Sequence, residues 1–246
     1  MQEPQRIDVP GMPSQESVGH VRLLMRNYFS TNFLWTALDL SRLVGELETA
    51  EGRRPRFDMA HRCYAASSVI ASGTFLEAAV SELFQDARDG HGLTDDGYLE
   101  PLSPEAVAAM AKVWGATKSG RSLDPLEKWQ WLLECCGHDQ LDRGAAQAQD
   151  AALLIRLRNA LVHFKPENVA ADDEHQLEKR LRGKFQDNRL MEGSGNPWWP
   201  SHGLAHGATE WAVRSAKALA NHVVDELGIN PNYRRIEAAG WNGRAP

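Results

Sequence analysis

Residues 152–166 read ALLIRLRNALVHFKP. As a helix, this stretch is apolar on nearly every side, which predicts that it lies at the centre of a bundle. We expect this helix to run from about 145 to 164, with Pro166 ending it because the residue before a proline avoids helical backbone angles. Polar groups on a buried helix cost a few kcal/mol each unless they are paired. The part of this stretch within the predicted helix nevertheless carries four of them: Arg156, Arg158, Asn159 and His163.

The rest of the chain also shows helical periodicity, without a run of alternating β-branched residues. Asp58, Ser103 and Asp124 are typical helix-capping residues. Gly137 and Gly228 are typical of positions just after a helix. These signals predict an all-α bundle of six or seven helices and no sheet. The predicted helical ranges are 18–48 (as one or two helices), 58–87, a short helix from 103, 124–137, 145–164, 172–184 and 209–227.

The domain organisation follows from the same pattern. Residues 1–17 contain three prolines and no periodicity, which is typical of a flexible segment. Residues 18–228 are predicted to form one helical domain. Residues 229–246 are predicted to form a C-terminal tail.

Composition excludes several classes of protein. The chain has 246 residues, of which 42% are hydrophobic and 24% charged, as in ordinary globular proteins. Its formal net charge of −6 argues against a surface that binds nucleic acid everywhere, although a local basic cleft remains compatible with it. Its three cysteines are odd in number and two are adjacent, which predicts a reducing, cytoplasmic location. Without a long unbroken apolar run or a signal-peptide core, no membrane association is expected.

The polar residues of the central helix form a pattern. Arg156, Asn159 and His163 share one helical face at spacings i, i+3 and i+7. Such a set suits phosphate chemistry, in which the arginine neutralises charge, the histidine moves a proton and the amide positions the substrate. A structural role, capping carbonyls or pairing with a carboxylate, is the more common explanation of such residues on a bundle helix. Glu77 is the candidate carboxylate, either as an orienting group in an active site or as a salt-bridge partner.

The segment Arg158-Asn-Ala-Leu-Val-His163 resembles the signature of the HEPN superfamily (higher eukaryotes and prokaryotes nucleotide-binding). That signature is an arginine followed, after four to six residues, by a histidine, often with a polar residue directly after the arginine. The helix predicted at 58–87 resembles the long early helix of such bundles, and the segment from Glu210 resembles their last helix. The resemblance covers about residues 18–228 and implies a HEPN-like helical bundle.

The resemblance implies a metal-independent endoribonuclease, commonly a dimer in which two motif copies meet in one cleft. Such enzymes often belong to toxin–antitoxin or antiviral (phage-defence) systems. On this chain, His163 and Arg158 match the catalytic pair and Asn159 matches the polar residue after the arginine. Arg156 also satisfies the spacing and is expected to contact phosphate. Lys165, a supporting residue here, stands where one toxin branch has a tyrosine that is a target of nucleotide modification.

The implied chemistry needs no metal or cofactor, and none is expected. Cleavage of RNA by its own 2′-hydroxyl requires a base, an acid and cations, and an imidazole can act as base or acid near neutral pH. One protomer offers a single motif histidine, so a homodimer is the expected active unit. The expected partners are RNA, with tRNA among the candidates, and an antitoxin. The alternative is a catalytically silent module of the same fold that binds a nucleotide or another protein.

Other patterns have competing structural interpretations. Cys135-Cys-Gly-His138 lacks a second ligand pair at the spacing of a zinc site. The run 178–184 is the most basic patch and is either a solvated helix face or a contact with the RNA backbone. Trp198 and Trp199 either pack their loop onto the bundle or stack on bases. Three further tryptophans are predicted to lie in the core: Trp129, Trp131 and Trp211.

Overall fold

The computed structural model describes residues 26–51, 55–93, 97–168 and 174–234. In these residues every regular element is helical, apart from one isolated bridge between Arg182 and Phe185, and the predicted all-α class is confirmed. The α-helices are α1 (Phe29–Thr49), α2 (Met59–Asp89), α3 (Pro104–Ala116), α4 (Pro125–Cys135), α5 (Ala146–Val162), α6 (Gln176–Leu181) and α7 (His206–Glu226). Two short helical turns, Arg189–Met191 and Trp198–His202, lie between α6 and α7.

Local capping accounts for where the helices begin. The Asp58 and Ser103 side chains accept hydrogen bonds from backbone N–H groups in the first turns of α2 and α3. Asp124 forms a complete capping box with Glu127 at the start of α4. Gly90 ends α2 at φ 73°, a left-handed conformation that costs glycine little. The starts predicted at these three capping residues are confirmed.

Several helix ends differ from the prediction, and residues 26–28, predicted to be helical, precede the first residue of α1. The last residue of α5 is two positions earlier than predicted and the first residue of α7 is three positions earlier, which is a common uncertainty at frayed ends. The predicted helix 172–184 is shorter, because His175 caps α6 and Gly183 follows it at φ 83°. Residues 172–173, and residues 1–25 with the predicted flexible segment, lie outside the described residues.

The central helix of the bundle is α2 and not α5, contrary to the sequence-based expectation. α2 packs against α1, α3, α4, α5 and α7 and buries Phe75, Leu76 and Phe84. α5 buries one stripe that includes Leu153, Leu154 and Leu157, whereas its opposite side is exposed. The apolar residues of α5 therefore do not all face the core. Among the tryptophans, Trp129 and Trp211 lie in the core as predicted, whereas Trp131 is 41% exposed and does not.

Among the described helices, only α2 is long and apolar enough to cross a bilayer by length and composition. More than half of its most apolar stretch is buried inside the bundle. Central helices of packed bundles meet the same criterion, so this property is weak support for a membrane span.

The packed region continues past residue 228, the predicted end of the domain. Ile229 and Tyr233 are 2% and 1% exposed. The Tyr233 ring lies edge-on to Phe75 of α2, with 5.0 Å between ring centroids. At least residues 229–234 of the predicted tail therefore belong to the bundle.

One buried carboxylate ties three helices together. Glu48 near the end of α1 accepts a hydrogen bond from His61 Nε2 of α2 at 2.8 Å and another from the backbone N–H of His206, at the start of α7, also at 2.8 Å. The side chains of Glu48 and His61 are 7% and 2% exposed. Removing the carboxylate leaves two donors without their acceptor.

We expect Glu48→Ala to lower the free energy of unfolding by about 2–4 kcal/mol, since an unsatisfied buried donor costs about 1–3 kcal/mol. Urea unfolding followed by circular dichroism measures this change. Glu46→Ala is the matched control: Glu46 lies on the same helix, its side chain is 60% exposed, and its ion pair with Arg42 is worth at most about 0.5 kcal/mol. Equal losses in the two variants would contradict the role assigned to Glu48.

Candidate functional site

His163 stands at the C-terminal end of α5, with an exposed side chain. Its backbone N–H still donates to the Asn159 carbonyl at 2.9 Å, but its backbone angles (φ −107°, ψ 32°) leave the helix. Pro166 follows, so the chain cannot continue as a helix. This local sequence therefore places an exposed imidazole at the C-terminal end of a helix.

His163 lines an open cleft of about 430 Å³, here called the His163 cleft. Its charged and titratable side chains are two histidines, one lysine and one glutamate. The loop that carries Trp199 contributes three residues to its lining. The lining residues are Ala160, His163, Phe164, Lys165, Glu167, Asn168, His175, Pro197, Trp199 and Pro200.

The second histidine of the cleft, His175, already has structural contacts. Its Nδ1 accepts a hydrogen bond from the backbone N–H of Leu177 at 3.1 Å and caps α6. Its Nε2 lies 3.7 Å from a carboxylate oxygen of Glu167, and its ring stacks on Trp199 with 6.0 Å between centroids. Because Nδ1 acts as an acceptor, the proton of the neutral ring belongs on Nε2. His175 was not predicted as a site residue, because the sequence around it gives no sign of a contact with the loop 196–200.

Arg158 does not line the His163 cleft. Its aliphatic stem crosses α2 at Gly73, where an added methyl group would lie 3.0 Å from Arg158 Cγ. Its guanidinium donates from one terminal nitrogen to Asn159 Oδ1 at 2.9 Å, and the other lies 3.7 Å from Glu77 Oε2. The lack of a side chain at Gly73 lets the arginine pass between α5 and α2 toward Glu77.

Glu77 is shared between two cations. Besides Arg158, it accepts a hydrogen bond from Lys128 Nζ of α4 at 3.0 Å. The Lys128 side chain is 5% exposed and also approaches Ser81 Oγ at 3.4 Å. Glu77 is therefore a salt-bridge partner that links α2, α4 and α5. Sequence reasoning did not single out Lys128, because a lysine on a short helix usually reaches solvent and here its stem is buried.

Arg156 lines a second cavity, of about 370 Å³, here called the basic groove. Arg180 and Lys184 of the predicted basic run line it too. Arg156 and His163, predicted to share a helical face, thus line separate cavities. The lining residues are Leu126, Leu141, Arg143, Ala148, Gln149, Ala152, Leu153, Arg156, Arg180 and Lys184.

The cysteine pair near the end of α4 is poorly suited to metal binding or nucleophilic chemistry. Burial raises the pKa of both Cys135 and Cys136 to about 11, so both thiols stay protonated at neutral pH. His138 pairs with Glu226 at 3.1 Å. Within the described ranges, no three His, Cys, Asp or Glu side chains cluster in a way that could hold a metal ion.

The loop tryptophans pack onto the bundle. Trp198 and Trp199 are each 6% exposed, and the Trp198 indole N–H donates to Asp187 at 2.8 Å. Trp199 still contributes to the wall of the His163 cleft, beside the His175 ring. Only an edge of this tryptophan is left for a ligand.

Comparison of the chain with models of protein families, with curated proteins and with solved structures finds no match.

Proposed function

We propose that the protein is a metal-independent endoribonuclease of the HEPN type that cleaves RNA through attack of a 2′-hydroxyl on the adjacent phosphate. The observation that carries this proposal is the exposed His163 imidazole, in an open cleft beside the Lys165 ammonium group. A toxin–antitoxin or phage-defence role, with a neutralising antitoxin partner and a cytoplasmic location, is part of the proposal.

The cleft offers one proton-transfer group, a cation and an aromatic surface for such a reaction. His163 removes the proton from the 2′-hydroxyl or donates one to the leaving 5′-oxygen. Lys165 is close enough along the chain to place a positive charge near the phosphate. The partly exposed His175 ring, which stacks on the buried Trp199, is an aromatic surface against which a base can pack.

The second proton-transfer group is proposed to come from a second copy of the chain. His175 is poorly placed for this task, because its Nδ1 caps α6 and protonating that atom would break the cap. Two apolar side chains flank His163 and are exposed: Val162 at 47% and Phe164 at 53%. Exposed apolar groups beside a polar site are typical of an interface, so we propose a homodimer in which the two α5 ends meet.

Phe164→Asp is expected to shift the protein from dimer to monomer, because a charge would replace an apolar contact at the interface. Sedimentation at micromolar concentration measures the mass, and an RNA cleavage assay should show a parallel loss. Phe57→Asp is the control, since Phe57 is also exposed, at 47%, but lies at the start of α2. A wild type that sediments as a monomer while cleaving RNA would contradict the dimer.

A second candidate function is a catalytically silent HEPN-type module that binds a nucleotide or a protein. The observation that favours it is the engagement of Arg158 by Asn159 and Glu77, which is how a structural arginine behaves. Two observations argue against it. The Arg158–Glu77 ion pair is partly exposed, and Arg158 Nε is buried without an acceptor among the described residues. The arginine is therefore not fully satisfied by its structural contacts.

The experiment that separates the two candidates is incubation of the purified protein with total RNA and with tRNA in EDTA. A ribonuclease of this type produces discrete fragments without any added metal. Intact RNA after prolonged incubation with folded protein would contradict the proposed activity. RNA that is bound but not cut would favour the silent module.

A further inference from the structure

The basic groove is a second candidate binding site, and the proposed cleavage does not use it. Its walls come from four parts of the chain: α4, the segment before α5, α5 itself and the region around α6. Arg143, Arg156, Arg180 and Lys184 all line it, and no carboxylate is among its lining residues in the described chain. A chain with a net charge of −6 therefore concentrates positive charge in one concave place.

The four cations are not equally free to bind a ligand. Lys184 pairs with Asp150 at 2.6 Å, and Arg143 donates to Gln130 at 3.1 Å. Arg156 and Arg180, both exposed, have no ion pair or side-chain hydrogen bond within residues 26–51, 55–93, 97–168 and 174–234. Two guanidinium groups thus remain available, and a guanidinium is suited to bind phosphate oxygens through two parallel hydrogen bonds.

The bottom of the groove is apolar. Leu126, Leu141 and Leu153 are buried core residues that reach its surface, together with two alanines of α5. The volume of about 370 Å³ is within the range of pockets that hold small molecules. A cationic rim over an apolar bottom suits a ligand that carries a phosphate at one end and a flat, weakly polar body at the other.

We propose that the basic groove binds the phosphate of a ligand of nucleotide size, with Arg156 and Arg180 holding the phosphate and the leucines contacting its body. The phosphate has two sources, a free nucleoside monophosphate or one link of an RNA strand. Gln149, the uncharged polar side chain of the groove, donates from Nε2 to the Gly144 carbonyl at 3.0 Å, and its amide oxygen can accept a hydrogen bond from the ligand body. This inference does not depend on the chemistry proposed at His163.

The test is isothermal titration of the full-length protein with adenosine 5′-monophosphate, with inorganic phosphate and with adenosine. Wild type should bind the monophosphate, and adenosine should bind at least tenfold more weakly. Arg156→Gln and Arg180→Gln should each weaken binding about tenfold, since each removes a charged hydrogen-bonding group. Arg214→Gln, on the exposed side of α7, is the matched control and should bind like the wild type.

A fourth titrant, a 2′-O-methyl RNA tetranucleotide without terminal phosphates, separates the two sources and cannot be cleaved by its own 2′-hydroxyl. The groove holds a backbone phosphate of RNA if the tetranucleotide binds, if both variants weaken that binding, and if the monophosphate does not bind. Absence of binding by all phosphate-containing titrants would overturn the proposal. Binding that neither Arg156→Gln nor Arg180→Gln weakens would also overturn it. Thermal melting confirms that the variants are folded, and no step measures cleavage.

Discussion

His163→Ala is expected to lower the rate of RNA cleavage by about 10²–10⁴-fold, the usual loss when a positioned acid or base is removed. The imidazole stands at the end of α5 and lines the cleft together with Lys165. Its side chain is exposed, so the free energy of unfolding should change by less than about 0.5 kcal/mol. The loss therefore belongs to the chemical step, and single-turnover cleavage of tRNA in EDTA measures it.

The matched control for this variant is His222→Ala. His222 lies on α7, its side chain is 45% exposed and it is 3.8 Å from Glu226. Its removal deletes an exposed imidazole without touching the cleft, so full activity is expected. Cleavage that persists in His163→Ala at the wild-type rate would remove the basis of the proposed mechanism.

The proposed HEPN motif assigns Arg158 the role of stabilising developing charge, so Arg158→Ala is expected to lower the cleavage rate by about 10²–10³-fold, the effect of removing one such group. In the described structure Arg158 pairs with Glu77 and does not line the His163 cleft, so this role requires its guanidinium to turn from Glu77 toward the bound RNA. The substitution should cost little stability. Its ion pair with Glu77 spans 3.7 Å and both side chains are partly exposed, which limits the contribution to about 1 kcal/mol or less. Glu77 also keeps its partner Lys128, so no carboxylate is left alone.

Two further variants test whether Arg158 is the arginine of the catalytic motif. Arg158→Lys keeps the charge but loses the planar fork, and should recover only part of the rate. Arg156→Ala tests the other arginine that fits the motif spacing, and a larger loss there than in Arg158→Ala would transfer the assignment to Arg156. Unchanged cleavage in Arg158→Ala, together with a loss of more than about 2 kcal/mol in stability, would make Arg158 a structural residue.

Helix starts were predictable because a cap acts within a few residues of itself. Asp58, Ser103 and Asp124 each bond to backbone groups in the turn that follows them, so the sequence carries the whole interaction. The all-α class followed from the same short-range signals. None of this required knowledge of which helices touch.

The arrangement of the helices was not predictable in the same way. α5 has more apolar residues per turn than is usual for a surface helix. The central helix is nevertheless α2, which is longer and packs against five other helices. Trp131 lies on the same helix as the buried Trp129, but it is two positions further on, faces nearly the opposite side and is 41% exposed. Helical periodicity tells which residues share a face, and not which face is covered.

In the candidate site, too, short-range relations were predictable and contacts between distant segments were not. Neighbours in sequence, such as His163 and Lys165, do line one cleft. Residues one or two turns earlier on α5 do not line this cleft. Arg158 pairs with Glu77, and Arg156 lines the basic groove. His175 joins the cleft through stacking on Trp199, a contact between segments that no local pattern encodes.

The measurement that tests the central claim most directly uses a single cleavage site, mapped first in tRNA with the wild-type protein. Two synthetic RNAs that span this site are then compared in EDTA, one unmodified and one with a 2′-deoxy sugar on the nucleotide 5′ to the cut. We expect the unmodified RNA to be cut, leaving a 2′,3′-cyclic phosphate and a 5′-hydroxyl, and the modified RNA to stay intact. Cleavage of the modified RNA, or cleavage that needs Mg²⁺, would contradict attack by the 2′-hydroxyl.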